Sequence, residues 1–219
     1  MPEGFDQIST SADQVLDRLR QDIVAGHLHP GARVTVAAIS QRYGVSAMPV
    51  REALRRLEGE GILVNHPHRG VTVIAVDRAF IENTYAVREV LFGLVAASCA
   101  RRATPADSAA ILAAGEAHAD ACRAGAPAEA IVAADRVFHG LIATVAANPP
   151  AVRALALGRG PVEALRIRTG FGAGRLERII AEHHGLAHAI ADGDTSAADL
   201  YARLHVVAAR EDLLAGLVI

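Results

Sequence analysis

The stretch that most constrains what this chain can fold into is Val45 to Gly70, VSAMPVREALRRLEGEGILVNHPHRG. Ser46 is a good N-cap, and Pro49 falls in the first helical turn, where its missing N–H costs nothing. Val50, Ala53, Leu54 and Leu57 recur at helical spacing and leave Arg51, Arg55 and Arg56 on the other side. Gly59 and Gly61 end the helix. Ile62 to Asn65 reads as a short strand, His66 to Gly70 as a tight turn and Val71 to Val76 as a return strand. A helix with one apolar face and one arginine face, followed by an arginine-tipped hairpin, suits DNA. The helix fits the major groove, and the hairpin reaches the backbone or the minor groove.

The residues before this stretch complete a unit. A helix of about 11–25 carries Val15, Leu16, Leu19, Ile23 and Val24 as its stripe, and His29-Pro30-Gly31 is a turn. Thr35 can cap a short helix from Val36 to Tyr43, with Ile39 facing the core, and Gly44-Val45 turns the chain into the next helix. Two short helices across a glycine turn, then a hairpin, predict a winged helix-turn-helix.

Charge has to be read locally. The chain has 219 residues, a net charge of −2, and arginine as its only Lys/Arg type. That overall balance argues against a general nucleic-acid coat. Residues 33–69, however, hold six arginines against three acids, and DNA binding needs a positive surface, not a basic protein. Met1 to Thr10 is polar, without the apolar core of a secretory signal, and no run of uncharged apolar residues is long enough for a membrane span. The cytoplasm is the expected compartment, with no membrane partner. Cys99 and Cys122 sit in apolar helical stretches and read as buried thiols.

RVTVAAISQRYGVSAMPVREALRRLEGEGIL resembles the DNA-binding domain of the GntR family of bacterial transcription regulators, with PVREALRRLEGEGIL close to the family pattern. The resemblance implies that Arg51 and the first turn of its helix read bases and that the wing around Arg69-Gly70 touches DNA. The expected DNA-contacting set is Arg33, Ser46, Met48, Arg51, Arg55, Arg69 and Gly70. Many members have Arg-Thr after the serine; here Ala47-Met48 stand instead.

The domain boundary is expected near 76, with 1–76 as the DNA-binding domain and 77–219 as a second one. The rest of the chain carries no strand signal, so the fold is mostly α, with an all-α C-terminal bundle. Helices are expected at about 77–102, 105–124, 127–147, 151–168, 174–192 and 195–216. Pro161, with Gly158 and Gly160, should kink or split the fourth.

Asp135 and His139 are four apart and share a helix face. His183 and His205 lie on two later helices. One carboxylate and three imidazoles suit a first-row divalent metal, although ten histidines can produce such a set by chance. DRVFH and EHHGLAHAIADGDTSAADLYARLH resemble the helical ligand-binding FCD domain of FadR-type GntR regulators. Counting back from Ala189-Ile190 and Gly193-Asp194, the resemblance implies Asp135, His139, His183 and His205 as ligands of Zn, Ni or Mn, with His184 and His188 unassigned. It also implies that Arg88 pairs with a small carboxylate effector, since a guanidinium recognises carboxylates bidentately. The acid that often follows four residues later is Phe92 here. The expected protein is a repressor that binds double-stranded operator DNA as a homodimer and is not an enzyme. A hydrolase using the Asp/His centre is the alternative, but it leaves the basic winged helix unexplained.

Overall fold

The computed structural model describes residues 11–66 and 70–217. The chain divides into two units that meet between Ala75 and Val76. The first contains α1 (Ser11–Val24), β1 (Arg33–Val34), α2 (Val36–Tyr43), α3 (Ala47–Gly59), β2 (Leu63–His66) and β3 (Gly70–Val73). Its core is built by the expected stripes: Leu19, Val50, Ala53 and Leu57 are completely buried, with Val15, Ile39 and Leu54 beside them. Thr35 accepts from the Ala38 N–H and caps α2. Gly44, at φ 68°, closes α2 in the left-handed region and donates its N–H to Ser40, which makes the tight turn into α3. Ser46 occupies the N-cap of α3, but its side chain makes no capping hydrogen bond.

The sheet differs from the expected hairpin in two ways. β3 pairs antiparallel with β2, and also with β1, which adds an unexpected third strand through Arg33 opposite Thr72 and Val34 opposite Val71. Two residues carry too little alternation to be read as a strand. The return strand also ends at Val73, so Ile74 to Val76 lie outside the ladder.

The second unit is all α among the described residues: α4 (Arg78–Arg102), α5 (Pro105–Arg123), α6 (Ala128–Ala146), α7 (Pro149–Ala156), α8 (Arg159–Thr169), α9 (Arg175–Ala191) and α10 (Thr195–Gly216). The starts are chemically marked. Asp77 caps α4, Thr104 and Asp107 form a capping box on α5, Asn148 caps α7 ahead of two prolines, and Asp194 caps α10. α4 is the central helix and packs against α6, α7, α9 and α10. Its Ile81, Val95, Ala96 and Cys99 are completely buried. Cys99 and Cys122 are buried free thiols.

The expected helix 151–168 is two helices. The break lies at Leu157-Gly158, not at Pro161, which sits in the first turn of α8 where proline is tolerated. Gly158 has φ 71°, and a Cβ there would also come within 3.2 Å of the Phe80 ring. Among the described residues no helix is long and apolar enough to cross a membrane.

Candidate metal centre and DNA-binding face

The outer face of α3 is bare of ion pairs at its expected base-reading positions. Arg51 and Arg55 are exposed and have no carboxylate partner among the described residues. Met48 is 74% exposed, and Ser46 is exposed beside it. Arg56 behaves otherwise. It bonds Asp13 of α1 at 2.7 Å and Glu52 at 3.0 Å, so although exposed it ties α3 to α1. Arg33 is exposed on β1, and its guanidinium lies over Gly70, where a Cβ would come within 3.2 Å of Nε. Gly70 adopts φ 85°, so both its conformation and its surroundings favour glycine. Arg69 lies outside the described residues.

The helical unit encloses a cavity of about 340 Å³, within the ~300–1,000 Å³ usual for small-molecule sites. Apolar side chains such as Val95, Ile131, Val132 and Ile179 make much of its wall. Asp135 and His139 reach it from α6 and His205 from α10, and the buried His183 of α9 packs against the His139 and His205 rings. One donor atom from each lies within 4.8 Å of the others. His139 Nε2 is 3.3 Å and His183 Nε2 3.5 Å from Asp135 Oδ1. His183 is completely buried, and His205 nearly so.

The electrostatics favour an ionised Asp135 and neutral His183 and His205 rings. Burial pushes the Asp135 carboxyl up, but His139, His183 and His205 outweigh it and hold it well below the usual range. Burial, with His205 and His139 nearby, pulls the His183 ring far below the ordinary histidine value. Burial lowers His205 too, although Glu182 opposes it. Both ring nitrogens of His183 and Nδ1 of His139 are buried without a hydrogen-bond partner. Such orphaned groups cost roughly 1–3 kcal/mol each. One carboxylate, three imidazoles and unused buried lone pairs fit a divalent first-row cation.

Arg88 lines the same cavity from α4. Its guanidinium bonds only the Leu155 carbonyl, at 3.4 Å, lies 5.6 Å from the Tyr85 ring, and leaves a buried Nε without a partner. No carboxylate among the described residues neutralises it. Phe92 packs edge-on against His139 at 4.8 Å and stiffens the apolar wall. His184 points elsewhere, 2.9 Å from Glu116, and His188 is exposed.

Three residues beside the cluster escaped the sequence reading. His118 of α5 is buried, with its ring 4.5 Å from that of His183, and burial lowers its pKa. Glu182 and Arg175 join each other and His205. Burial pushes the Glu182 carboxyl up, but His205 and Arg175 hold it below its ordinary value. The only signal for Glu182 was its place before His183, about 100° round the helix.

Residues 11–73 match the profile of the gntR family of bacterial regulatory proteins, and residues 83–208 match the FCD domain. The chain belongs to the gntR family, in its FCD-domain branch. An uncharacterized HTH-type transcriptional regulator of Mycobacterium tuberculosis is 34% identical over 93 residues, 42% of this chain but 38% of that protein. The HTH-type transcriptional repressor RspR of Escherichia coli is 33% identical over 91 residues, 42% of this chain and 40% of RspR. The chain thus spans about two fifths of the length of these relatives. YdhC of Bacillus subtilis is 23% identical over 88% of this chain and 86% of its own. Among solved structures, Escherichia coli McbR superposes with a TM-score of 0.66 at 24% identity, covering 90% of this chain and 94% of McbR. A Rhodococcus regulator superposes with a TM-score of 0.63 at 23% identity, covering 93% of this chain and 97% of that one. The gntR-family fold therefore extends over both units.

Proposed function

We propose that this protein is a cytoplasmic transcriptional repressor that binds operator DNA as a homodimer and releases it when a small carboxylate enters the metal-containing cavity. The observation that carries this reading is the meeting of Asp135, His139, His183 and His205 at the wall of a cavity that also holds the unneutralised Arg88. A divalent metal there, Zn, Ni or Mn, would act as a Lewis acid that binds an anionic ligand. Two positive charges against the single carboxylate of Asp135 leave the centre cationic, and an uncompensated buried charge favours an anion. Arg88 supplies the second anchor. Arg51, with Arg55, Ser46 and Met48, reads the operator, while Arg33, Arg69 and Gly70 form the wing contact.

Two exposed apolar stripes support the dimer: Val87, Val90 and Leu94 on α4, and Leu200, Tyr201 and Leu204 on α10, which packs against it. A self-complementary pair of such faces suits a two-fold partner and a near-palindromic operator. The hydrolase alternative is less favoured because the other nearby carboxylates are engaged. Glu163 is held by Arg136 and Arg159, and Glu182 by Arg175 and His205.

The test is to select bound fragments from a random DNA pool. Their affinity is then measured with and without metal and a panel of small organic acids. A coupling of about 1–3 kcal/mol, or about 5–150-fold in affinity, is expected when metal and acid are both present. Equal operator affinity under all conditions would overturn the regulatory reading. Failure to enrich any sequence would overturn the DNA reading.

A further inference from the structure

Glu182 stands beside the proposed centre without belonging to its ligand set. Its Oε2 lies 2.8 Å from His205 Nδ1, and its Oε1 accepts from Arg175 Nη1 at 2.7 Å. Arg175 is 1% exposed, so the carboxylate is clamped between a buried cation and a buried ring. A carboxylate can only accept, so the proton of a neutral His205 sits on Nδ1, and Nε2 keeps its lone pair. A metal-ligating imidazole must be neutral, with its other nitrogen donating to an oriented acceptor. Glu182 supplies that acceptor here. Arg175 balances the charge that Glu182 would otherwise leave uncompensated and holds it by its second oxygen.

We infer that Glu182 is a positioning carboxylate for the metal centre: held by Arg175, it fixes the tautomer and rotation of His205 so that Nε2 is presented to the ion. The inference rests on the metal centre proposed above. It makes Glu182, rather than the sequence-adjacent His184, the next most important side chain of α9 after His183. His184 faces Glu116 of α5 and plays no part.

The experiment is a chelator competition for Zn²⁺ on the full chain at fixed pH. The variants are Glu182→Ala, Glu182→Gln, His205→Ala and the Glu182→Ala/His205→Ala pair, with metal-free melting temperatures measured alongside. Glu182→Ala should weaken Zn²⁺ by about 10–100-fold. Glu182→Gln should recover most of that loss, because its carboxamide oxygen still accepts from Nδ1. On the His205→Ala background the alanine change should cost nothing further. Unchanged Zn²⁺ affinity in Glu182→Ala overturns the inference. So does an equal loss in both backgrounds, or a Gln variant no better than Ala. Should Glu182→Ala fail to fold, Glu182→Leu and Glu182→Leu/His205→Ala, which also lack an acceptor for Nδ1, carry the same comparison. A wild type that binds no Zn²⁺ overturns the metal centre itself, whereas a binding wild type with an unaffected Glu182→Ala overturns only the role of Glu182.

Discussion

The two units of the chain treat polar side chains in opposite ways. The core of the DNA-binding unit is apolar, and its arginines stay at the surface, paired like Arg20 and Arg56 or free like Arg51 and Arg55. The helical unit instead buries His118, His183, His205, Arg166 and Arg175. Burial of polar groups costs stability unless a partner satisfies them. The first unit is therefore arranged for stability with an outward-facing function. The second gives up stability to keep an inward-facing one, and a ligand or ion would restore what is lost.

The largest expected difference concerns core substitutions. Leu57→Ala should destabilise the DNA-binding unit by about 2–5 kcal/mol, because a fully buried leucine leaves a cavity. His183→Leu, at an equally buried position, should leave the metal-free helical unit as stable or more so, since two unpartnered nitrogens disappear. Hydrogen exchange read by mass spectrometry on the full chain would resolve the two units. Equal destabilisation by both changes would break the comparison.

Acidification should widen the contrast. His183, His205 and His118 have folded pKa values below the ordinary histidine value, so the unfolded chain takes up protons first. Stability of the metal-free helical unit should then rise with pH up to about 6.5 and fall below it. The low-lying Asp135 acts in the same direction at lower pH, since its contribution is lost as pH falls through its depressed value. The apolar core of the DNA-binding unit lacks a buried histidine among the described residues and should change less. Parallel loss in both units between pH 7 and 5 would count against this.

At the DNA face the effects are smaller. Arg51→Ala should remove ~1–3 kcal/mol of discrimination between the selected operator and random DNA. Equal losses on both would reduce Arg51 to a phosphate contact. Arg33→Ala should make the salt dependence of binding shallower by about one unit without changing sequence preference. An unchanged slope would remove Arg33 from the interface.

The sequence revealed the two units unequally, for physical reasons. Helix caps, glycine turns and the 3.6-residue stripes are local, so Thr35, Gly44, Asp77 and the Thr104 box mark their helices where the chain places them. β1 was invisible because its pairing with β3 is long-range and only two residues long. The break falls at Gly158 and not at Pro161 because proline is disruptive only inside a helix, and Pro161 stands at a start. The Asp135–His139 spacing put two donors on one face from sequence alone. The gathering of His183 and His205 around them depends on how α6, α9 and α10 pack. Glu182 and Arg175 depend on that packing entirely, since neither lies on a motif.

The most direct test of the account is metal stoichiometry in the purified full chain after chelation and reloading, for wild type, His183→Ala and His184→Ala. The account predicts one divalent ion per chain in wild type and His184→Ala, with a raised melting temperature in both. His183→Ala should show neither. Retention of the ion by His183→Ala, or its loss only in His184→Ala, would contradict the assignment of the centre.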